Sequence, residues 1–480
     1  MNELHFPWLE SSILFPLIGA VLCQYAHPRL GPRIGIGTAL LTLLTTLGAW
    51  RDFLTLHEFA AHDHWYFAKN LLGERVLVID ELSAPLLSLS ALTYFVTLIA
   101  TAKTKARRFS YSGTLYSLSI LMATLSTGES WLLVGLLALG TLPVFFELRM
   151  RGKSTRIFTI HMGLFLTLLT VGWGLWNWQG PSLTAAALLT VAVLIRCGIA
   201  PLHCWLTDLF ENASFGTALL FCTPMVGIYA AMHFVFPIAP TWALRLIAIA
   251  SMITALYAAA MTLVQVDARR FFCYLFLSHS SLVLVGLEVT TPQGLAGALS
   301  LWLAVGLSLT GFGVVLRSVE ARVGAIRLDR YHGLYDHVPT FGVFFLITGM
   351  ASVGFPGTFG FFASELLIDA TVDVYPSIGL IVVLATALNG IAVLQAYLRV
   401  FTGTRRETSV SIGSRPAERV AILLMTALIV GGGLFPQPGI ESRFHASEHL
   451  FQLRIDPGRV AEPTPQPITQ PPSTVHDHSK

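Results

Sequence analysis

Two side chains and one imino acid within eight positions of an apolar run have the character to do chemistry. In VLIRCGIAPLHCWLTDLFENASFGTALLF, residues 193–221, Arg196 places a cation where the run is still hydrophobic, Pro201 removes a backbone donor, and His203 follows. A charge beside a helix break at membrane depth is costly in lipid, so it asks for a use. The candidate uses are a charge relay on a discontinuous helix, or a site for an ion or a substrate anion. The bland reading is an arginine that snorkels or pairs with an acid on a neighbouring helix. His203 can accept and pass a proton near neutral pH, or it can simply cap the break. Asp208, with Glu211 and Asn212, forms a polar cluster just beyond it.

Two further groups have the same character. Asp267, Arg269 and Arg270 precede an apolar run that holds His279 between Ser278 and Ser280. Asp267 and Arg270 read as a membrane-edge anchor, and Arg269 as an anchor or as the mouth of an inner half-channel. Three consecutive polar side chains in a span suggest a hydrated path, although serines also satisfy themselves on their own helix. Glu365 and Asp369 follow FPGTFG at 355–360, where Pro356 and Gly357 break the run. They stand four apart and so share one helical face, which points to a bundle interior, to an aqueous exit or, for Asp369, to the outer surface. Glu147, followed by Arg149 and Arg151, reads as an interfacial residue.

The elements that must position these groups are membrane helices. Of 480 residues 54% are hydrophobic and 12% charged, about half the charge of a soluble protein. Apolar runs of membrane-crossing length fall near 8–26, 34–53, 82–102, 109–127, 130–148, 157–177, 183–201, 213–236, 241–265, 271–289, 294–316, 338–370, 375–402 and 418–435, about fourteen in all. The fold class is therefore all-α and polytopic. Loops after odd-numbered runs carry the cations: Arg29 and Arg33; Lys103, Lys105, Arg107 and Arg108; Arg149, Arg151, Lys153 and Arg156; Arg269 and Arg270; Arg317, Arg322, Arg327 and Arg330; Arg405, Arg406 and Arg415. Even-numbered loops carry few, Lys69 and Arg75 being the main exceptions. Cationic loops stay cytoplasmic, which puts both termini on the outer side of a bacterial cytoplasmic (inner) membrane.

The remaining features exclude function classes. Residues 1–79 hold the N-terminal spans and an outer interfacial loop with His57, His62, His64 and Trp65; 404–453 hold the last span and an outer segment. The Pro-rich stretch 454–480 cannot bury a core and is expected to be disordered. The first run lacks the basic flank and cleavage site of a signal peptide and reads as a permanent span. Cys23, Cys197, Cys204, Cys222 and Cys273 are scattered without metal-ligand spacing. No Walker loop, strand-borne GxGxxG or CxxCH occurs, so no cofactor, metal or nucleic-acid site is expected.

Four stretches carry a family resemblance. APLHCWLTDLFENASFGTALL resembles the PLHTWLPDA…PT…A signature of antiporter-like membrane subunits, found in respiratory complex I, multisubunit Na+/H+ antiporters, membrane hydrogenases and inorganic-carbon accumulation complexes. VDARRFFCYLFLSHSSLVLVGL resembles their D-x-K-R-x-x-A-Y-S-x-x-S-H/Q-x-G motif, the stretch ending GFPGTFGFFASELLI resembles GLPGTxGFxGE, and ELSAPLL resembles the DGLS element. The likeness covers residues 80–403. It implies about fourteen helices with an inverted repeat, about 109–236 against 241–402, and one broken helix in each, at Pro201 and Pro356. It also implies substitutions in the family's proton path. The lysine of broken helix seven is Arg196, the histidine of the proline motif is kept as His203, and the lysine of D-x-K-R is Arg269. The span-five glutamate falls at Ala138, the span-eleven histidine at Val305, and the ionisable residue of broken helix twelve at Ser364, beside Glu365.

The resemblance implies a proton- or cation-translocating subunit that energises a partner. Arginine effectively keeps its proton, so Arg196 and Arg269 are expected to act as fixed fields and His203, His279 and Glu365 to handle the proton. The first expectation is inorganic-carbon uptake beside a large zinc-containing, carbonic-anhydrase-like partner in a hetero-oligomeric complex. The alternatives are a subunit of a respiratory complex such as NADH–quinone oxidoreductase or a membrane hydrogenase, and a non-conducting scaffold. No catalytic site of the chain's own is expected.

Overall fold

The computed structural model of the chain describes residues 3–27, 29–63, 76–101, 109–287, 291–374, 376–404 and 413–455. The cations at Lys69, Arg75, Lys103, Lys105, Arg107, Arg108, Arg405 and Arg406, the loop residues His64 and Trp65, and the stretch 456–480 lie outside these.

The described residues form helices joined by short connections, with one small sheet. Apolar runs have no water to satisfy their backbone in lipid, so helix is the form they take. α1 (Trp8–Tyr25) and α2 (Gly31–Leu56) lead to strands β1 (Ala60–His62) and β2 (Val78–Asp80), antiparallel with Ala61 opposite Ile79. α3 (Ser83–Ile99) follows. Next come α4 (Tyr111–Ser126), α5 (Ser130–Leu139) with α6 (Leu142–Met150), α7 (Arg156–Gln179), α8 (Leu183–Cys197) with α9 (Cys204–Asn212), and α10 (Phe215–Cys222) with α11 (Val226–Phe234). The second run holds α12 (Thr241–Val264), α13 (Ala268–Val285), α14 (Pro292–Val323), α15 (Pro339–Ser352) with α16 (Phe359–Val374), and α17 (Pro376–Phe401). α18 (Pro416–Leu434) and α19 (Gln437–Ile455) close the described chain.

The order repeats: in each run of five segments the fourth is a broken helix, α8–α9 in one and α15–α16 in the other. Every segment expected to span is helical. Nine are long and apolar enough among the described residues to cross a membrane by length and composition; the other five are shorter or less apolar. Two expectations are corrected. The fifth and eighth segments, read as single helices, are interrupted ahead of Pro143 and at Pro224, where proline lacks a donor and Met225 takes φ +50°. The eleventh, read as 294–316, runs to Val323 because Arg317, Glu320 and Arg322, taken as a loop, lie on the helix and are held there by partners. At 32 residues α14 is about 48 Å long, and it is buried along nearly its whole length. It is the pillar against which α3, α13, α15, α16, α18 and α19 pack.

The connections sort into two ends. At one, Glu147 accepts from Ser214 N (3.0 Å), Leu328 N donates to Val266 O (2.6 Å), His332 N to Arg399 O (2.9 Å), and Arg322 pairs with Glu418. These are the connections after the odd-numbered segments. At the other end, Gly128 N donates to Val76 O (3.1 Å), and α19 lies across the bundle. Arg443 of α19 donates to the carbonyls of Glu81 and Leu82, Ser447 Oγ to Pro292 O (2.8 Å) and Arg454 to Phe236 O (2.6 Å). One polar helix thus ties the starts of α3 and α14 to the end of the eighth segment.

Arg443 is 1% exposed, so removing its guanidinium strands buried carbonyl oxygens. Arg443→Met is expected to cost about 2–3 kcal/mol, and Arg419→Met, on an exposed side chain, less than about 0.5 kcal/mol, compared by Tm in detergent.

Candidate functional site

The break at Pro201 is built so that its backbone is satisfied. α8 ends in Gly198 at φ +70°, a left-handed cap that lets Gly198 N reach Ile195 O (3.1 Å) and Ile199 N reach Leu194 O (3.0 Å). Ala200 N donates to Thr254 Oγ1 (3.0 Å) on α12, and Trp205 Nε1 to Ile195 O (2.9 Å). Two side chains from beyond the half-helix thus replace the hydrogen bonds the break removes.

Arg196 sits in the last turn of α8, 7% exposed. Its Cζ is 4.3 Å from the Phe221 ring centroid and 5.5 Å from that of Trp205. No carboxylate lies within 4.0 Å of it among the described residues. Two ring faces, each worth about 2 kcal/mol when desolvated, and the carbonyl-rich helix end offset part of the burial cost. Water can supply more. A cavity of about 40 Å³, measured for water centres, lies on one side of Arg196, lined by Tyr94, Ser117, Thr124, Gly140, Phe221 and Val226. A second, of about 20 Å³, lies on the other, with Cys197, Trp205, Cys222, Gly227 and Ser280 in its wall. Voids of this size have room for a few waters.

The second cavity reaches α13. His279, 2% exposed, stands next to Ser280, and its Nε2 has no partner among the described residues. Ser280 and Ser281 donate to Leu277 O on their own helix (3.2 and 2.7 Å), whereas Ser278 donates to Ala255 O (2.9 Å) and accepts from Asn389 Nδ2 (2.8 Å) on α17. On the other side of Arg196 the Tyr94 hydroxyl lies 2.7 Å from Ser117 Oγ. Polar groups therefore recur in the interior: Tyr94, Ser117 and Arg196 at the larger cavity, Ser280 at the smaller, and Ser278 with Asn389 between α13 and α17; His279, next to Ser280 in sequence, lines neither cavity.

The other expected residues sit apart from that line. His203 lines neither cavity; its Nε2 is 3.4 Å from the Tyr257 hydroxyl, and its ring packs against Tyr257 and Tyr274 at 5.4 and 6.2 Å. Asp208 accepts from Asn212 Nδ2 (2.9 Å). Asp267 caps α13, accepting from Arg269 N (2.8 Å) and Arg270 N (3.2 Å). Arg270 pairs with Glu211. Arg269 donates to both oxygens of Glu320 (2.8 and 2.6 Å) and to the carbonyls of Phe210 (3.4 Å) and Ala213 (3.2 Å). Its charge is spent on a bidentate pair and on the free carbonyl end of α9.

Around Pro356 the chain turns through Gly354 (φ +81°) and Gly357 (φ +88°). A Cβ on Gly354 would stand 2.7 Å from Ser364 Oγ, so that turn admits glycine alone. Glu365 and Asp369 do not enter the bundle interior. Both are exposed on this single chain, and Glu365 lines an open, mostly apolar groove of about 400 Å³ between α16 and α17. The sequence reading missed Glu320, Asn389, Thr254 and Tyr94. Asn389, a lone amide in an apolar run, and Glu320, an acid near the end of another, carried a signal in their type; Thr254 and Tyr94 did not.

The fold and these groups define a class: a multi-pass helical membrane protein with two five-segment runs, each with a broken fourth segment, and buried polar groups in its interior. The family model described as "NADH:quinone oxidoreductase/Mrp antiporter, TM" matches residues 148–389. The chain belongs to that family. It is similar to NAD(P)H-quinone oxidoreductase chain 4 3 of Trichormus variabilis, 25% identical over 91% of this chain and 90% of that protein. Subunit M of the NADH-quinone oxidoreductase of Mycobacterium tuberculosis is 28% identical over 57% of this chain and 51% of its own length. In fold, a chain of respiratory complex I from Thermus thermophilus superposes with a TM-score of 0.79 at 22% identity, covering 93% of this chain and 99% of that one. A chain of the Mrp complex from Dietzia sp. gives 0.79 at 19%, covering 92% and 97%.

The Arg269 pair yields a test. Glu320→Gln leaves a largely buried guanidinium uncompensated and is expected to cost about 3 kcal/mol. The double variant Arg269→Gln, Glu320→Gln is expected to recover at least half of that loss in the same thermal denaturation.

Proposed function

We propose that this chain is a proton-translocating membrane subunit of a larger energy-converting complex of the quinone-oxidoreductase or Mrp kind. One observation carries the reading: in a chain of this family, the nine-tenths-buried Arg196 shares a small cavity with Ser280 of α13, the helix that carries His279. The named relatives are quinone-oxidoreductase and Mrp subunits, so a multi-protein assembly of that sort has more support than the carbon-uptake assembly expected first.

In this reading the moving proton rides on water and on His279, whose unpartnered Nε2 can take it up and release it. Arg196 keeps its charge throughout and sets the potential the proton meets. His203, with Tyr257, forms a separate station near the break, and Arg269 holds the half-helix α9 in place. Glu365 and Asp369 face the side of the chain, where a neighbouring subunit would meet them. The end that gathers Arg149, Arg269, Arg322 and Arg327 is the cytoplasmic one, which puts the N-terminus and α19 on the outer face of a bacterial inner membrane.

A second reading has its own support. Ala138, Arg196 and Val305 stand where the family resemblance implies glutamate, lysine and histidine. Those losses fit a subunit that lets protons run downhill to drive a partner such as a zinc-containing, carbonic-anhydrase-like protein in inorganic-carbon uptake. Co-purification separates the two: quinone-oxidoreductase or antiporter subunits support the first, a carbonic-anhydrase-like protein the second.

The proton path is tested by flux into proteoliposomes holding the assembled complex. His279→Ala is expected to slow flux at least about 100-fold with assembly intact. Full flux in assembled His279→Ala would refute the path.

A further inference from the structure

We propose that Arg196 and the start of α11 form a binding site for a small monovalent anion of halide size. The guanidinium is nine-tenths buried, faces two cavities, and has no carboxylate within 4.0 Å among the described residues. Arginine does not shed its proton in proteins, so the charge stays and calls for a counter-charge.

The interruption of the eighth segment supplies the rest of the site. Pro224 and Met225, at φ +50°, end α10 and let α11 begin afresh at Val226 as a nine-residue helix. Val226 N and Gly227 N donate to no backbone acceptor among the described residues. Open N–H groups at a helix start, with the positive end of the helix dipole behind them, are suited to an anion. Val226 lines the larger cavity, and Gly227 and Ile228 the smaller, so both voids meet this helix start as well as Arg196.

Gly227 allows the approach. A Cβ there would stand 2.7 Å from Cys197 Sγ and 3.2 Å from Arg196 Cγ. Cys197 and Cys222 in the smaller cavity add weak S–H donors and no competing negative charge. Volumes of about 40 and 20 Å³ for water centres admit an ion a little larger than water and exclude phosphate esters and organic acids. The site rests on this geometry and holds whether or not the chain moves protons.

The test is radiolabelled chloride binding to the full chain in nanodiscs, with gluconate holding ionic strength constant. Saturable binding of about one chloride per chain, displaced by bromide, is expected. Arg196→Met should abolish it, and Gly227→Ala should weaken it at least about tenfold. No saturable binding to the wild type, or wild-type binding by Arg196→Met, overturns the site. Displacement by bicarbonate at lower concentration than by bromide overturns the halide size. If Arg196→Met does not fold, the wild-type Tm decides: a saturable rise in chloride over gluconate supports the site, and a flat response refutes it.

Discussion

A guanidinium in the interior of a membrane protein, without a carboxylate beside it, sets the terms for what packs around it. Such an ion costs several kcal/mol to desolvate, and a protein recovers that cost with a counter-ion, with aromatic faces or with water. Here the two rings are Phe221 and Trp205, and each does a second job. Trp205 also donates to Ile195 O and so completes the end of α8. Phe221 packs edge-on against Phe158 of α7 and Trp205, tying α10 to the same wall. The elements that accommodate the charge are therefore those that hold the broken helix in shape.

Charge elsewhere in the chain is handled differently. At one end of the bundle Arg269, Arg270 and Arg322 each have a carboxylate partner, in Glu320, Glu211 and Glu418. Two of these pairs also fasten helix ends: Arg269 caps α9 through Phe210 and Ala213, and Glu418 caps α18 while it holds Arg322. At the opposite end Arg443 takes carbonyl oxygens, with Glu81 nearby. Against this pattern Arg196 stands out among the described cations as one held by rings and cavities.

Hydropathy and turn residues made much of this fold legible. The helical segments, the two long breaks and the sorting of cations to one end follow from apolar run length, from Pro201 and Pro356 with their glycines, and from the cost of moving cations through lipid. The interruption at Pro224 was missed because Thr223 and Met225 are apolar enough to pass for helix interior, and the unusual φ of Met225 leaves no mark in composition. Residue type found Arg196 and His279; it could not place Arg196 and Ser280 at one cavity, because that depends on how α8, α10 and α13 pack. The same limit left two places open for Glu365, of which the interior is not the one it takes: an acid in an apolar run signals that lipid is excluded, not whether the chain's own interior, water or a neighbouring subunit does the excluding.

The family resemblance implies a lysine at Arg196 and a glutamate at Ala138, and the two departures make sense together. A carboxylate beside a permanent cation would form a standing ion pair, and neither member could then change charge cheaply; Ala138 itself lines neither cavity. With alanine there, the turn 136–140 contributes apolar walls and Gly140 to the larger cavity, and Arg196 meets rings and space instead. Lysine would fit this pocket poorly: a compact ammonium gives up more hydration than a guanidinium and cannot spread a flat face over Phe221. On that resemblance, a charge that can be switched is replaced by one that cannot. What can still vary beside Arg196 is the content of the two cavities, because the cation itself keeps its charge.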